Sequence, residues 1–100
     1  MADLVITREE GPTGGRYVGR LEGVAEEAEL AWSRVNAHLI IADHTSVPDT
    51  MRGQGVALKL ATRLVEDART LDFKIIPLCP YVNAERKKHP DWADVFQATD

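Results

Sequence analysis

One hundred residues with 44% hydrophobic and 28% charged side chains describe one folded domain with a modest core. That balance excludes a disordered, collagen-like or coiled-coil chain, and the single cysteine, Cys79, excludes an internal disulfide framework or a multi-cysteine metal site. A formal net charge of -4 repels phosphate backbones, so nucleic acid is not an expected partner and a cationic one is easier to accommodate.

MADLVITREE lacks the basic start and apolar core of a signal peptide. No apolar run approaches the length needed to cross a bilayer. A soluble protein of a reducing, cytoplasmic compartment is therefore expected, with no membrane partner.

DLVIT at 3–7 reads as a short opening strand, EEGPTGG at 9–15 as a loop, and GRYVGRLEG at 15–23 as a partly exposed strand. Residues 23–27 read as a connection. In AELAWSRV at 28–35, Ala28, Leu30 and Trp32 share one face and Glu29 and Ser33 the other, which is the period-two pattern of a strand. Asn36 and Ala37 mark a tight hairpin into HLIIADHTSV at 38–47. The apolar LIIA at its middle predicts a strand covered on both sides, hence helices on at least one face.

Val56, Leu60, Leu64 and Ala68 lie four apart, and Ala57, Ala61 and Val65 widen the stripe. This predicts an amphipathic helix over about residues 54–69, with Lys59, Arg63, Glu66, Asp67 and Arg69 toward solvent. LDFKIIPLCP at 71–80 reads as a further strand, completing a βαβ crossover. Residues 81–88 predict a short helix stopped before Pro90, and Trp92, Val95 and Phe96 a final docking turn.

The glycines of RGQGVA at 52–57 stand where the long helix should begin, although glycine is a poor helix former. A helix N-terminus exposes unpaired N–H groups that attract anions, and glycine lets a phosphate approach them. Arg52, Gly53, Gln54, Gly55, Val56 and Ala57 thus form a candidate phosphate cradle built mainly of main-chain donors. A glycine-containing turn that binds nothing fits the local pattern equally well. The loop is neither a nucleotide P-loop nor a G-x-G-x-x-G fingerprint.

RGQGVA also resembles the Q/R-x-x-G-x-G/A loop of the GNAT acetyltransferase superfamily, with Arg52 opening it, Gly55 at the central glycine and Ala57 closing it. HTSVP at 44–48, PLCP at 77–80 and HPDW at 89–92 extend the resemblance to its small YjdJ-type branch, across nearly the whole chain. The resemblance implies a single minimal α/β (α+β) domain with a mixed, mostly antiparallel sheet, a central helix and a short C-terminal helix. It implies acetyl-coenzyme A as cosubstrate, its pyrophosphate on the 52–57 loop. The pantetheine arm would run beside Thr45 and Val47, where strands 38–47 and 72–77 splay apart. The N-terminal helices that shape the acceptor pocket in larger relatives have no counterpart here, which implies a pocket left open or completed by a partner.

Acetyl transfer from a thioester to an amine needs a neutral amine, donors for the oxyanion and a proton for the leaving thiolate. Backbone N–H groups near 43–47 are oxyanion candidates. His44 is the leading base candidate, because imidazole titrates near neutrality; the alternative is a structural histidine bonded to Thr45, Ser46 or main chain. Asp43 has opposite strand phase. Cys79 either protonates the leaving thiolate, becomes an acetylated nucleophile, or is a buried small hydrophobe. The resemblance marks the matching cysteine as an active-site residue.

The branch usually has a tyrosine where Glu85 stands. Tyr81 compensates as leaving-group acid only if its hydroxyl turns inward. Asn83 is similarly placed to an asparagine that binds cofactor amides in broader relatives, and helix capping is its alternative. Lys59 and Arg63 share the helix that starts at the cradle and are candidates for the nucleotide phosphates. His38, His44 and His89 lack compact ligand spacing, so no metal is expected.

Three readings result: an N-acetyltransferase acting on a small-molecule amine or a protein lysine, a non-catalytic acyl-coenzyme A sensor, or a small structural scaffold. The two-sided burial of the central strand leaves room for a homodimer.

Overall fold

The alternating segments of the first half form an antiparallel meander in the computed structural model, which describes residues 3–97. Strands β1 (Leu4–Glu10), β2 (Gly14–Leu21), β3 (Glu27–Asn36) and β4 (Leu39–Ser46) precede helix α1 (Val56–Leu71), β5 (Lys74–Pro77) and helix α2 (Pro80–Lys88). The five-stranded sheet has the order β1-β2-β3-β4-β5. Every pair is antiparallel except β4–β5, which α1 joins as a parallel crossover. The mixed, mostly antiparallel α+β architecture expected from sequence is the one that forms.

Element ends differ from expectation for local reasons. β1 runs to Glu10, because Glu9 pairs with Arg16 and Glu10 with Gly15 in the ladder. Only 11–13 remain as the turn, closed by the Gly11 N–H donating to the Gly14 carbonyl at 2.7 Å. Helix α1 starts at Val56 rather than 54, because Gly55 takes a left-handed conformation (φ 69°) that helical residues do not. It runs on to Leu71 and is closed by a left-handed Asp72, whose N–H meets the Ala68 carbonyl. β5 keeps only Lys74–Pro77 of the ten residues that read as strand, because Pro77 has no N–H for a ladder and Pro80 opens α2. A 3-10 turn at Asp49–Met51, not anticipated, buries Met51 completely.

The main apolar cluster lies on one side of the sheet, while Val18, opposite Glu29, is fully buried on the other. Tyr17, Leu30, Trp32, Ile40, Ala42 and Ile75 meet Leu60 and Leu64 of α1, Val82 of α2, and Trp92 and Val95 of a final 3-10 turn at Pro90–Val95. The expectation that β4 is covered on both faces is not met. Ile40 and Ala42 are buried, whereas Leu39 and Ile41 on the other face are only half-buried. Among the described residues, the buried side chains of the helices belong to the single cluster on the first face, which leaves the second face without a helix.

Arg63 and Asp67 of α1 do not simply face solvent. The Arg63 Nη1–H donates to the Ile6 carbonyl at 3.1 Å, and Asp67 accepts from the hydroxyl of fully buried Tyr17 at 2.9 Å. Burial above all pushes the Tyr17 phenol up from its ordinary range. A folded-state value raised in this way gives stability that is complete below about pH 10 and lost as pH rises further. Tyr17→Phe is therefore expected to lower neutral-pH stability by about 1 kcal/mol and to flatten its alkaline decline, read by urea unfolding at about pH 8 and about pH 11.

Among the described residues, no helix is long and apolar enough to cross a membrane.

Candidate functional site

The sheet opens at one place. In the β3–β4 ladder Trp32 pairs with Ala42 and Ala31 with His44, so Asp43 is an extra residue, a bulge that turns the last residues of β4. The parallel β4–β5 pairing ends at the same level, with Ala42 opposite Pro77. One further link closes this seam, the Cys79 N–H donating to the Ala42 carbonyl at 2.7 Å. Beyond it, His44, Thr45 and Ser46 pair only with β3, which leaves their other main-chain edge available. Cys79 sits at this opening, 2% exposed, with its Sγ 3.3 Å from Thr45 Oγ1.

The chain leaves β4 at Val47 and reaches α1 through the 3-10 turn and two left-handed glycines, Gly53 (φ 79°) and Gly55 (φ 69°). Nothing lies within 4 Å of a Cβ placed on either glycine. Among the described residues, no protein acceptor meets the N–H groups of Gly53 through Leu58, while the Gly55 carbonyl already takes the Lys59 N–H at 3.0 Å. No acidic residue in the first turn of α1 competes for its positive end. A cavity of about 230 Å³ lies against this loop, lined by Val47, Met51, Arg52, Gly53, Gly55, Val56, Ala57, Leu58 and Tyr81. Five of the six cradle residues thus line one space together with Val47. Gln54 is exposed at the loop tip outside it. The Arg52 guanidinium is held by Asp49 at 2.8 Å, with both side chains largely exposed.

His44 is not brought to Cys79. Strand alternation sends Thr45, opposite buried Leu30, to the helical side and His44, opposite Ala31, to the uncovered side. There His44 Nε2 lies 2.9 Å from Glu29 Oε2, and Glu29 also accepts from Arg16 at 2.9 Å. Arg16 further reaches Glu9 at 2.8 Å and Glu27 at 3.0 Å, and Asp43 accepts from the Ser33 hydroxyl at 2.5 Å. The Arg16 guanidinium first, then His44, hold the Glu29 carboxyl below its ordinary range. An ionised Glu29 accepts from the Nε2–H of His44, which leaves the lone pair of the neutral ring on Nδ1.

A lowered folded-state carboxylate value gives stability present above about pH 4.3 and lost as pH falls through the folded value. Glu29→Gln is expected to reduce the loss of stability between about pH 7 and about pH 3, measured by chemical unfolding at both. An equal loss in both proteins would remove Glu29 from the acid response.

On α2, Tyr81 is the residue that sequence reasoning held only as conditional. It forms a wall of the loop cavity, and burial first, then the charge of Glu85, raises its phenol above the ordinary range, so the hydroxyl keeps its proton. The usable sequence cue was its position two residues past Cys79, across a helix start. Asn83 does not cap the helix, a role that falls to the backbone of Cys79. Its N–H donates to the Cys79 carbonyl at 2.9 Å and its Oδ1 accepts from Arg86 Nε at 2.8 Å, outside the cavity lining. Glu85, only 13% exposed, lies 3.3 Å from His89 Nε2 and 3.5 Å from Lys88 Nζ, and it too stands outside the cavity lining. Lys59 is exposed on α1, whereas Arg63 is drawn back to β1.

A sequence profile of the family described as GCN5-related N-acetyl-transferase matches residues 16–95. Protein NATD1 of Gallus gallus is 31% identical over 75 residues, which cover 75% of this chain and 68% of its own. Protein NATD1 of Homo sapiens is 31% identical over 75 residues, covering 75% and 66%. The matched stretch thus spans about two thirds of these relatives' length. The solution structure of a GCN5-like candidate N-acetyltransferase from Staphylococcus aureus superposes with a TM-score of 0.66 at 31% identity, covering 94% of this chain and 90% of that one.

Proposed function

The chain belongs to the GCN5-related N-acetyltransferase family, and on that footing we propose that it moves an acetyl group from acetyl-coenzyme A to an amine in the cytoplasm. Its three spaced motifs favour placement in the small YjdJ-type branch. The observation that carries the reading is the set of unpaired amides from Gly53 to Leu58, on a loop most of whose residues line a cavity together with Val47 at the end of β4.

The residues present fit the cosubstrate. Main-chain donors of 52–57 suit a diphosphate, with the positive end of α1 behind them. Arg52 adds charge at the rim. The free main-chain edge at Thr45, leading to Val47 on the cavity wall, suits the amides of a pantetheine arm, as a strand edge suits any extended amide chain. When bound, acetyl-coenzyme A would supply an activated thioester, its acetyl group going to Cys79 Sγ and the coenzyme leaving as its free thiol.

The chain's own groups divide the remaining work by sheet face. On the helical side, Cys79 takes the acetyl group on Sγ and its thiol proton passes to the departing thiolate. Thr45 Oγ1 orients that thiol. On the uncovered side, His44 Nδ1 takes a proton from the ammonium before the amine enters the opening between β4 and β5 toward Cys79, and Glu29 steadies the imidazolium that results. The amine nitrogen then bonds to the acetyl carbon, Cys79 Sγ leaves, and the second amine proton returns to it. N–H groups of the bulged 43–47 segment would serve as donors to the oxyanion. Asn83, bonded to Arg86, has at most a positioning part through the Cys79 carbonyl.

Calorimetric titration with acetyl-coenzyme A, and then free-thiol release with a panel of amines, tests the reading. Binding with amine-dependent release supports it. Binding without release makes the protein a non-catalytic acyl-coenzyme A module. Absence of binding returns the glycines to a structural turn.

A further inference from the structure

A second cavity, of about 560 Å³, lies between β1 and α1 and shares Leu58 alone with the cavity at the glycine loop. Leu4 and Ile6 form one wall, and Leu58, Thr62 and Glu66, each one helical turn from the next, form the other. The side chains of Leu4, Val56 and Leu60 converge on Gly19 at the start of α1, whereas Ile6 is reached by Arg63 further along. Strand and helix therefore run in the same direction. The cavity is a channel, with Asp3 and Lys59 at one end and Glu66 at the other. From Leu58 to Glu66 the helix rises about 12 Å, and from Leu4 to Arg8 the strand spans about 14 Å.

β1 is an edge of the sheet. The Asp3 carbonyl accepts from the Glu22 N–H at 3.0 Å, so alternation turns the main-chain groups of Leu4, Ile6 and Arg8 away from β2. The Arg63 guanidinium, donating to the Ile6 carbonyl at 3.1 Å, approaches that outer side. Among the described residues it is the one partner these groups have, and it leaves the carbonyl a second lone pair. A row of free donors and acceptors is a template for another strand. The charges are unevenly matched. Arg63 is held by Asp67 at 3.2 Å, and Asp3 and Lys59 oppose each other in sign at one end. At the other end Arg8 is turned onto the rings of Tyr17, Trp32 and Phe73, while exposed Glu66 has no ion-pair partner among the described residues.

We infer that this channel binds an extended segment of a partner protein, added to β1 as a further antiparallel strand. Two apolar side chains of the segment cover Leu4, Ile6 and Leu58, and a lysine or arginine meets Glu66. The inference goes beyond the transferase reading and does not rest on it. Main-chain pairing supplies affinity in this mode, and alternate side chains entering the channel supply choice of partner. The antiparallel sense follows from the better geometry of that ladder. A second copy paired through the same edge would bring the Asp3 end of its own β1 to Glu66, where like charges meet.

The probe is the peptide acetyl-Lys-Thr-Val-Thr-Val-amide, whose lysine and valines face the channel in this pairing. Amide chemical shifts are followed during titration into the unchanged protein. Saturable shifts confined to 4–8 and 58–66 are expected, with a Kd of about 1 mM or tighter. N-methylation of the last valine removes the donor opposite the Leu4 carbonyl and should weaken binding about three- to tenfold. Glutamate in place of the probe's lysine should weaken it about threefold or more. Glu66→Lys, at an exposed position, should reverse the order of the lysine and glutamate probes and leave coenzyme A affinity unchanged.

Absence of saturable shifts, shifts elsewhere, or equal affinity of the N-methylated probe overturns the proposal. So does an unchanged order of the two probes in Glu66→Lys. A dimer in sedimentation whose amides at 4–8 are already protected from exchange without peptide gives the channel to a second copy and overturns it too. Failure of coenzyme A to bind removes the transferase reading and leaves this one standing.

Discussion

Gly55→Glu is expected to abolish measurable binding of coenzyme A while the protein remains folded. Gly55 holds φ 69°, a left-handed conformation that costs a non-glycine residue about 1–2 kcal/mol. A Cβ placed there meets nothing within 4 Å, so the added side chain has room in the free protein. The room is on the same wall as the unpaired amides, and a carboxylate there opposes a diphosphate directly. Loss of even two charge-assisted hydrogen bonds, at about 1.5–3 kcal/mol each, lowers affinity by about two to four orders of magnitude. Gly55→Asn separates the two effects, because asparagine tolerates the left-handed region and brings no charge. Calorimetry should show Asn weakened modestly and Glu without heat. Unchanged affinity in Gly55→Glu would place the diphosphate elsewhere.

Cys79→Ser is expected to lose the acetyl adduct seen by intact mass in the parent protein, and to lower amine-dependent thiol release by about two orders of magnitude or more. The change is nearly isosteric and keeps a hydroxyl within reach of Thr45 Oγ1, now 3.3 Å from Sγ, so folding should survive. Coenzyme A affinity reports on the loop alone and should hold. Turnover in the parent protein without an adduct would reassign Cys79 to proton donation. Full turnover in Cys79→Ser would make it a packing residue, in keeping with its 2% exposure.

Much of this fold was legible because its signals are periodic. The stripe at Val56, Leu60, Leu64 and Ala68 is buried as the spacing predicted, and the alternation of Ala28, Leu30 and Trp32 faces the core. The misreadings arose where a tertiary partner overrides composition. Glu9 and Glu10 look like loop until Arg16 and Gly15 pair with them. Leu39 and Ile41 look like core until the helices are seen to share one face. The site divides in the same way. A left-handed glycine before a helix is a local property, so the loop was visible in RGQGVA. Whether His44 meets Cys79 depends on which face each occupies, and the bulge at Asp43 shifts that phase without any mark in the sequence. Tyr81 gained its place from the turn at Pro80, a matter of direction that residue type does not encode.

The seam between β4 and β5 has a consequence for evolution and for engineering. Pro77 denies the ladder a donor and Asp43 breaks its rhythm, so at one level both strands stop zipping. Repairing either defect would make a tighter sheet and close the gap at which the proposed transfer takes place. If the proposed transfer holds, selection for thermal robustness should accept improvements at the meander end, around β1 and β2, and reject them here, where the weakest stitch is the working one.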